Sequence, residues 1–133
     1  MPDASTNDSI LNSIKKLLGI IPEVEAFDQD IITHINSVFA TLASMGVGPA
    51  NGFRIQSADE VWSDFLDQCI GEGKGTDTKL YESVKTYMYM KVKLIFDPPA
   101  SSSLLESYNN LIKEIEYRLY TQSGGYWSWQ VII

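Results

Sequence analysis

Asp97-Pro98-Pro99 stands between two long apolar-striped segments and constrains the fold more than any other stretch. Neither proline can donate a backbone hydrogen bond, and each disfavours helix in the residue before it, so a helix arriving at Phe96 must stop there. Helical spacing resumes after Ser101-Ser102-Ser103, with Leu104, Leu105, Tyr108, Leu111, Ile112, Ile115 and Leu119 on one stripe. The preceding segment carries Leu80, Tyr81, Val84, Tyr87, Met88, Val92, Ile95 and Phe96 over a wider arc and belongs at the centre of a core. Two such helices joined by a short rigid corner make an antiparallel hairpin, so the expected fold class is all-α.

Three further helices fit the rest of the chain. Asn7, Asp8 and Ser9 offer N-caps to ILNSIKKLL, and Gly19 then Pro22 close it. Asp28 or Asp30 caps a longer helix that ends before Gly46. After the turn-rich GVGPANG comes a short extended piece, Phe53 to Ile55, and then Ser57-Ala58-Asp59-Glu60 in the capping-box pattern. That box predicts a helix with Val61, Trp62, Phe65, Leu66, Cys69 and Ile70 facing inward. The predicted helices are 8–18, 29–45, 59–70, 79–96 and 102–121. Together they form a helical domain over 1–123, followed behind Gly124-Gly125 by an extended tail, 124–133.

A chain of 133 residues is large enough for one domain with a real core. A formal net charge of −7, with Arg54 and Arg118 the only arginines, argues against duplex DNA as the main ligand. No apolar run is long enough to span a bilayer, and the first residues, MPDASTNDS, do not read as a signal peptide. Cys69 is alone, which excludes a disulfide within the chain and fits a reducing compartment.

No enzyme constellation emerges. His34 is the sole histidine and lies at the edge of an apolar stripe, where a boundary role is the plain expectation. No cation adjoins Cys69 to lower its pKa, so an inert thiol is expected. GEGKGTDT lacks the spacing of a phosphate loop and follows a helix rather than a strand. Asp59 and Glu60 suit a helix start, while Asp64 and Asp67 suit a solvated face. No catalytic, cofactor or metal residue is therefore assigned. Lys91 falls inside the apolar stripe of 79–96 and must snorkel, meet a carboxylate or face a water-filled channel.

Two anomalies point to assembly. From Ile31 to Phe53 there is no Asp, Glu, Lys or Arg. The face of the second helix away from Ile31, Ile35, Val38, Phe39 and Leu42 is Thr33, Asn36, Ser37, Ala40, Thr41 and Ser44. Exposed helix faces ordinarily carry Lys and Glu, so this one, chiefly Thr33, Ser37, Thr41 and Ser44, is expected to be covered by another chain or by the first helix. The second anomaly is YWSWQVII, in which Trp127, Trp129, Val131 and Ile133 alternate as one face of a strand would, with Tyr126 ahead of them. Such a segment needs a docking site, and its hinge favours one on another protein. The loop Gly71 to Thr78, with Lys74 as its one cation, is expected to meet a neighbour or a lumen.

The blocks ILNSIKKLLGI, FDQDIITHINSVFATLASMGVGP, GFRI, WSDFL and VKTYMYMKVKLIFDPPASSSLLESYNNLIKEIEYRL occur in an order that resembles the small head–tail connector (adaptor) proteins of long-tailed bacteriophages. FDPP followed by small residues is the most specific of them. The resemblance implies a structural virion protein, made in the bacterial cytoplasm and placed in the phage neck. It further implies a homo-oligomeric ring, a dodecamer, that docks on the portal protein, extends the DNA channel and presents a surface to the next neck or tail-completion protein. No membrane or cofactor enters that picture. The tail YWSWQVII departs from the polar C-termini of the group, so its contacts transfer least. Two other readings stay open: a helical interaction module acting outside a ring, and an enzyme whose site forms only between subunits.

Overall fold

A computed structural model describes residues 6–69 and 78–122, and the account below concerns those. They form five helices, α1 (Ile10–Leu17), α2 (Asp28–Ser44), α3 (Trp62–Leu66), α4 (Thr78–Phe96) and α5 (Ser102–Gln122), and no strand. The small all-α bundle read from the periodicity is the observed fold. α4 is the centre: α1, α2 and α5 all pack on it, whereas α5 packs chiefly on α4. The wide apolar arc of α4 accordingly buries Leu80, Tyr81, Val84, Tyr87, Met88, Met90 and Val92. The corner falls where the two prolines require it, directly after Phe96.

Ser9 caps α1, its Oγ accepting from the Asn12 N–H at 3.1 Å. At α2 the expected Asp caps are absent: Phe27 holds the cap position, with Asp28 and Asp30 in the first turn where the dipole favours them. Gly46 follows α2 with a φ of 84°. The larger departure is α3, which occupies five residues rather than the predicted twelve-residue span 59–70. The Ser57–Glu60 signal is spent in a turn. Glu60 Oε2 and Oε1 accept from the Gln56 and Ser57 N–H groups, and Ser57 Oγ accepts from the Asp59 N–H. The backbone at 60–63 then pairs with the chain before α1: Ile10 N–H donates to Glu60 O at 3.0 Å, Trp62 N–H to Asp8 O at 3.2 Å and Ser63 N–H to Thr6 O at 2.7 Å. Those groups are committed to a non-helical partner, so the helix starts only at Trp62.

An aromatic cluster ties the elements together. Phe39 of α2 meets Phe53 at 5.0 Å and Phe65 at 4.9 Å between centroids, and Trp62 lies edge-on to Tyr81 of α4 at 5.8 Å. Gly48 lets this cluster close. Its φ is 99°, and a Cβ there would stand 2.7 Å from Phe65 Cε1. Gly48→Ala therefore combines backbone strain with overpacking, and a loss of about 2 kcal/mol is expected in urea unfolding. A loss under a few tenths would show that the Phe65 ring can move aside. Across the hairpin, Tyr87 of α4 donates to Glu116 Oε2 of α5 at 2.8 Å. Burial, then that hydrogen bond, raises the phenol's pKa, so it stays a donor.

Candidate functional site

The outer face of α2 follows from its register. Ile31, Ile35, Val38, Phe39 and Leu42 turn inward and are buried, which leaves Thr33, Ser37, Ala40 and Ser44 exposed and Thr41 half-buried. α1 does not cover them. Thr33 Oγ1 donates to Gln29 O at 2.9 Å, Thr41 Oγ1 to Ser37 O at 3.3 Å and Ser44 Oγ to Thr41 O at 2.6 Å. The hydroxyls are thus turned onto their own helix, and what faces outward is small and uncharged.

Asn36 leaves this set, for its carboxamide is used inside the subunit. Oδ1 accepts from the Ile55 N–H at 2.8 Å and Nδ2 donates to Ile55 O at 3.0 Å. One side chain so acts as the pairing strand for the extended piece expected at 53–55, and it satisfies a peptide group that has no β partner. The pairing holds 54–56 beside α2 and forms a shallow groove of about 510 Å³, with Gln29, Ile32, Thr33, Ser37, Arg54 and Gln56 along it.

The stripe of α5 is only half used. Ile112, Ile115 and Leu119 are buried against α4, but Leu104 and Leu111 remain 46 % and 40 % exposed. Leu111 opens onto a second groove, of about 370 Å³, with Lys79, Glu82, Ser83 and Thr86 of α4 opposite.

At the end of the bundle where α4 turns into the corner, Phe27 meets Phe96 edge-on at 5.5 Å. Beneath this contact Lys15 is completely buried. Its ammonium donates to Pro22 O at 3.1 Å and Val24 O at 2.7 Å and forms an ion pair with Asp28 Oδ1 at 2.8 Å. The sequence reading missed this site. It queried Lys91 instead, which is half-buried with its ammonium 5.8 Å from the Tyr87 ring centroid. Lys15 carried a weaker signal, one turn after Leu11 at the margin of a short apolar face. The exposed Phe27 was missed as well, although it stands among carboxylates immediately before α2, and Ile95, expected on the core-facing arc of α4, is instead exposed beyond the last buried turn.

The other candidates stay apart. His34 is half-buried on α2, and Cys69 is half-buried with its thiol 3.7 Å from Phe65 O. Among the described residues no three His, Cys, Asp or Glu side chains are placed to hold a metal, and no helix is long and apolar enough to cross a membrane. Lys74 and the tail residues Tyr126, Trp127, Trp129, Val131 and Ile133 lie outside the described residues.

Uncharged, apolar and grooved surfaces are what a protein working by contact requires. The chain matches the family model described as "Phage connector protein" over residues 10–126. No curated protein and no solved structure matches it. That match takes in all five helices, the proline corner and the charge-free stretch from Ile31 to Phe53. The chain belongs to the phage connector proteins, a family of structural virion proteins that act by joining other head and tail components.

Proposed function

We propose that the protein is one subunit of a homo-oligomeric ring, a dodecamer, that docks on the phage portal, extends the DNA channel and joins head to tail. The observation that carries this reading is the outer face of α2. From Thr33 to Ser44 it carries no charge, it is largely exposed in the isolated subunit, and a groove borders it. A ring subunit needs such a face to meet its neighbour, because small uncharged side chains allow close approach with no charge to desolvate. The acidic balance of the chain, −7, suits a conduit that DNA must traverse without adhering. In the same reading the tail residues Tyr126, Trp127, Trp129, Val131 and Ile133 anchor the subunit to the portal or to a neck protein, and Lys74 meets the lumen or a neighbour.

The test is Thr33→Glu with Ser37→Glu. Both positions are exposed, and the new like-charge pair at i,i+4 costs the helix only about 0.5 kcal/mol. The variant is expected to fold as a monomer with unchanged far-UV dichroism, yet to give no rings with portal present and no tailed particles. Normal particles from the double variant would refute the assignment of this face.

A further inference from the structure

We infer that the corner end of the subunit is a docking surface for a different protein, one that presents an apolar helix flanked by Lys or Arg. The inference rests on the connector reading only in taking the chain as part of an assembly. It adds which end of the subunit turns toward a heterologous partner.

The apolar part is open to solvent. Val24 is 40 % exposed, Phe27 44 % and Ile95 55 %, and Phe96 completes the group through its edge contact with Phe27. An exposed apolar group rimmed by polar residues marks an interaction site, and aromatic rings are the residues that anchor such sites. The patch is also held rigid. Pro98 and Pro99 stop α4 directly after Phe96, and Lys15 grips the Pro22 and Val24 carbonyls and Asp28 on either side of Phe27. Little ordering is left to be done on binding.

The rim says what fits. In the chain Glu23 and Glu25 flank Val24, Asp28 follows Phe27, Asp30 lies in the same first turn of α2 and Asp97 follows Phe96, against Lys15 and Lys93. Both lysines are already engaged, Lys15 by Asp28 and Lys93 by Asp97 at 3.4 Å. Glu23, Glu25 and Asp30 are exposed and form no ion pair among the described residues. A second copy meeting patch to patch would press these carboxylates together, and nucleic acid would be repelled. A basic amphipathic helix supplies an apolar stripe for Phe27, Ile95 and Phe96 and cations for the rim.

The probe is a short amphipathic helical peptide of Leu and Lys alone, with a Leu/Glu peptide of the same pattern as control, titrated into the full chain and followed by amide chemical shifts. Saturable binding of the Leu/Lys peptide is expected, with the shifts centred on residues 24–30 and 93–97, and none with the control. Phe27→Ser and, separately, Ile95→Ser should each weaken binding at least tenfold. Glu23→Lys with Glu25→Lys and Asp30→Lys should do the same and flatten the salt dependence. Dichroism on each variant establishes that the fold persists. Absence of saturable binding, shifts centred on another surface, or affinity unmoved by these variants would overturn the inference. So would self-association of the wild type that Phe27→Ser abolishes, since a second copy would then be the occupant. Thr33→Glu with Ser37→Glu is expected to leave peptide binding intact, so failure of the ring face and failure of this surface remain distinguishable.

Discussion

Lys15→Ala is expected to lower the unfolding free energy by about 3 kcal/mol, a large share of the roughly 5–15 kcal/mol that holds a domain of this size. The reason lies in what the ammonium leaves behind. It is completely buried, and it donates to two carbonyls and pairs with one carboxylate, all within 3.1 Å. Taking it away strands Asp28 and unties the segment between α1 and α2. The side chain of Asp28 is still 23 % exposed, so water recovers part of the loss and the effect should sit at the low end for a broken buried pair. Lys15→Met separates the contributions, because it keeps most of the buried stem and removes only the charge and its hydrogen bonds. It should fall close to Lys15→Ala if the polar knot is what matters, and close to wild type if packing is. Asp28→Asn should cost less than either, since the two carbonyls keep their donor. Chemical denaturation of the three variants decides, and a Lys15→Met protein as stable as wild type would sink this account.

Lys15 also shows where the sequence stops being legible. The hairpin, the central place of α4 and the outward face of α2 follow from periodicity and from two prolines, which are local physics. The knot depends on Lys15 meeting Asp28 across a turn whose path no periodicity encodes. The same holds for α3. Ser57–Glu60 has the chemistry of a helix start, yet the backbone at 60–63 finds partners at residues 6–10, and that long-range pairing wins over the local signal. Asn36 belongs by spacing to the uncharged face, but its carboxamide is taken by Ile55, a contact between residues nineteen apart. On α5 the stripe was readable, whereas the extent of its cover was not. Leu104 and Leu111 lie on it and stay exposed because α4 alone packs there to any extent. The docking patch shares this character. Phe27 and Phe96 are far apart in sequence, and only the antiparallel arrangement of α2 and α4 makes them neighbours.

Trp62→Ala should be at least as damaging as loss of Lys15, by about 3–5 kcal/mol. The indole is 0 % exposed and touches three other elements. It meets Tyr81 of α4 at 5.8 Å and Phe39 of α2 at 6.5 Å between centroids, and its Nε1–H donates to Ser13 Oγ of α1 at 2.8 Å. Because α3 is a five-residue helix, it contributes little stability of its own, and Trp62, with Phe65 and Leu66, fastens it to the bundle. Two further variants divide the loss. Ser13→Ala removes the acceptor, together with the Ser13 Oγ donation to Ile10 O, and leaves a buried N–H without a partner, which costs about 1–2 kcal/mol. Trp62→Phe keeps a ring against Tyr81 and Phe39 but forfeits both the hydrogen bond and the volume of the second ring, and should lie between Ser13→Ala and Trp62→Ala. The ordering itself is the measurement. If Trp62→Phe is no worse than Ser13→Ala, the indole serves mainly to hold α1 and the aromatic contacts are incidental. If Ser13→Ala is silent, packing carries the site and the hydrogen bond merely avoids a penalty. The connector reading makes a further demand on this residue. Trp62 packs on Phe39 from the core side of α2, the helix that carries Thr33 and Ser37 outward. At a temperature where Trp62→Phe is still folded, ring formation should therefore fail before the fold does.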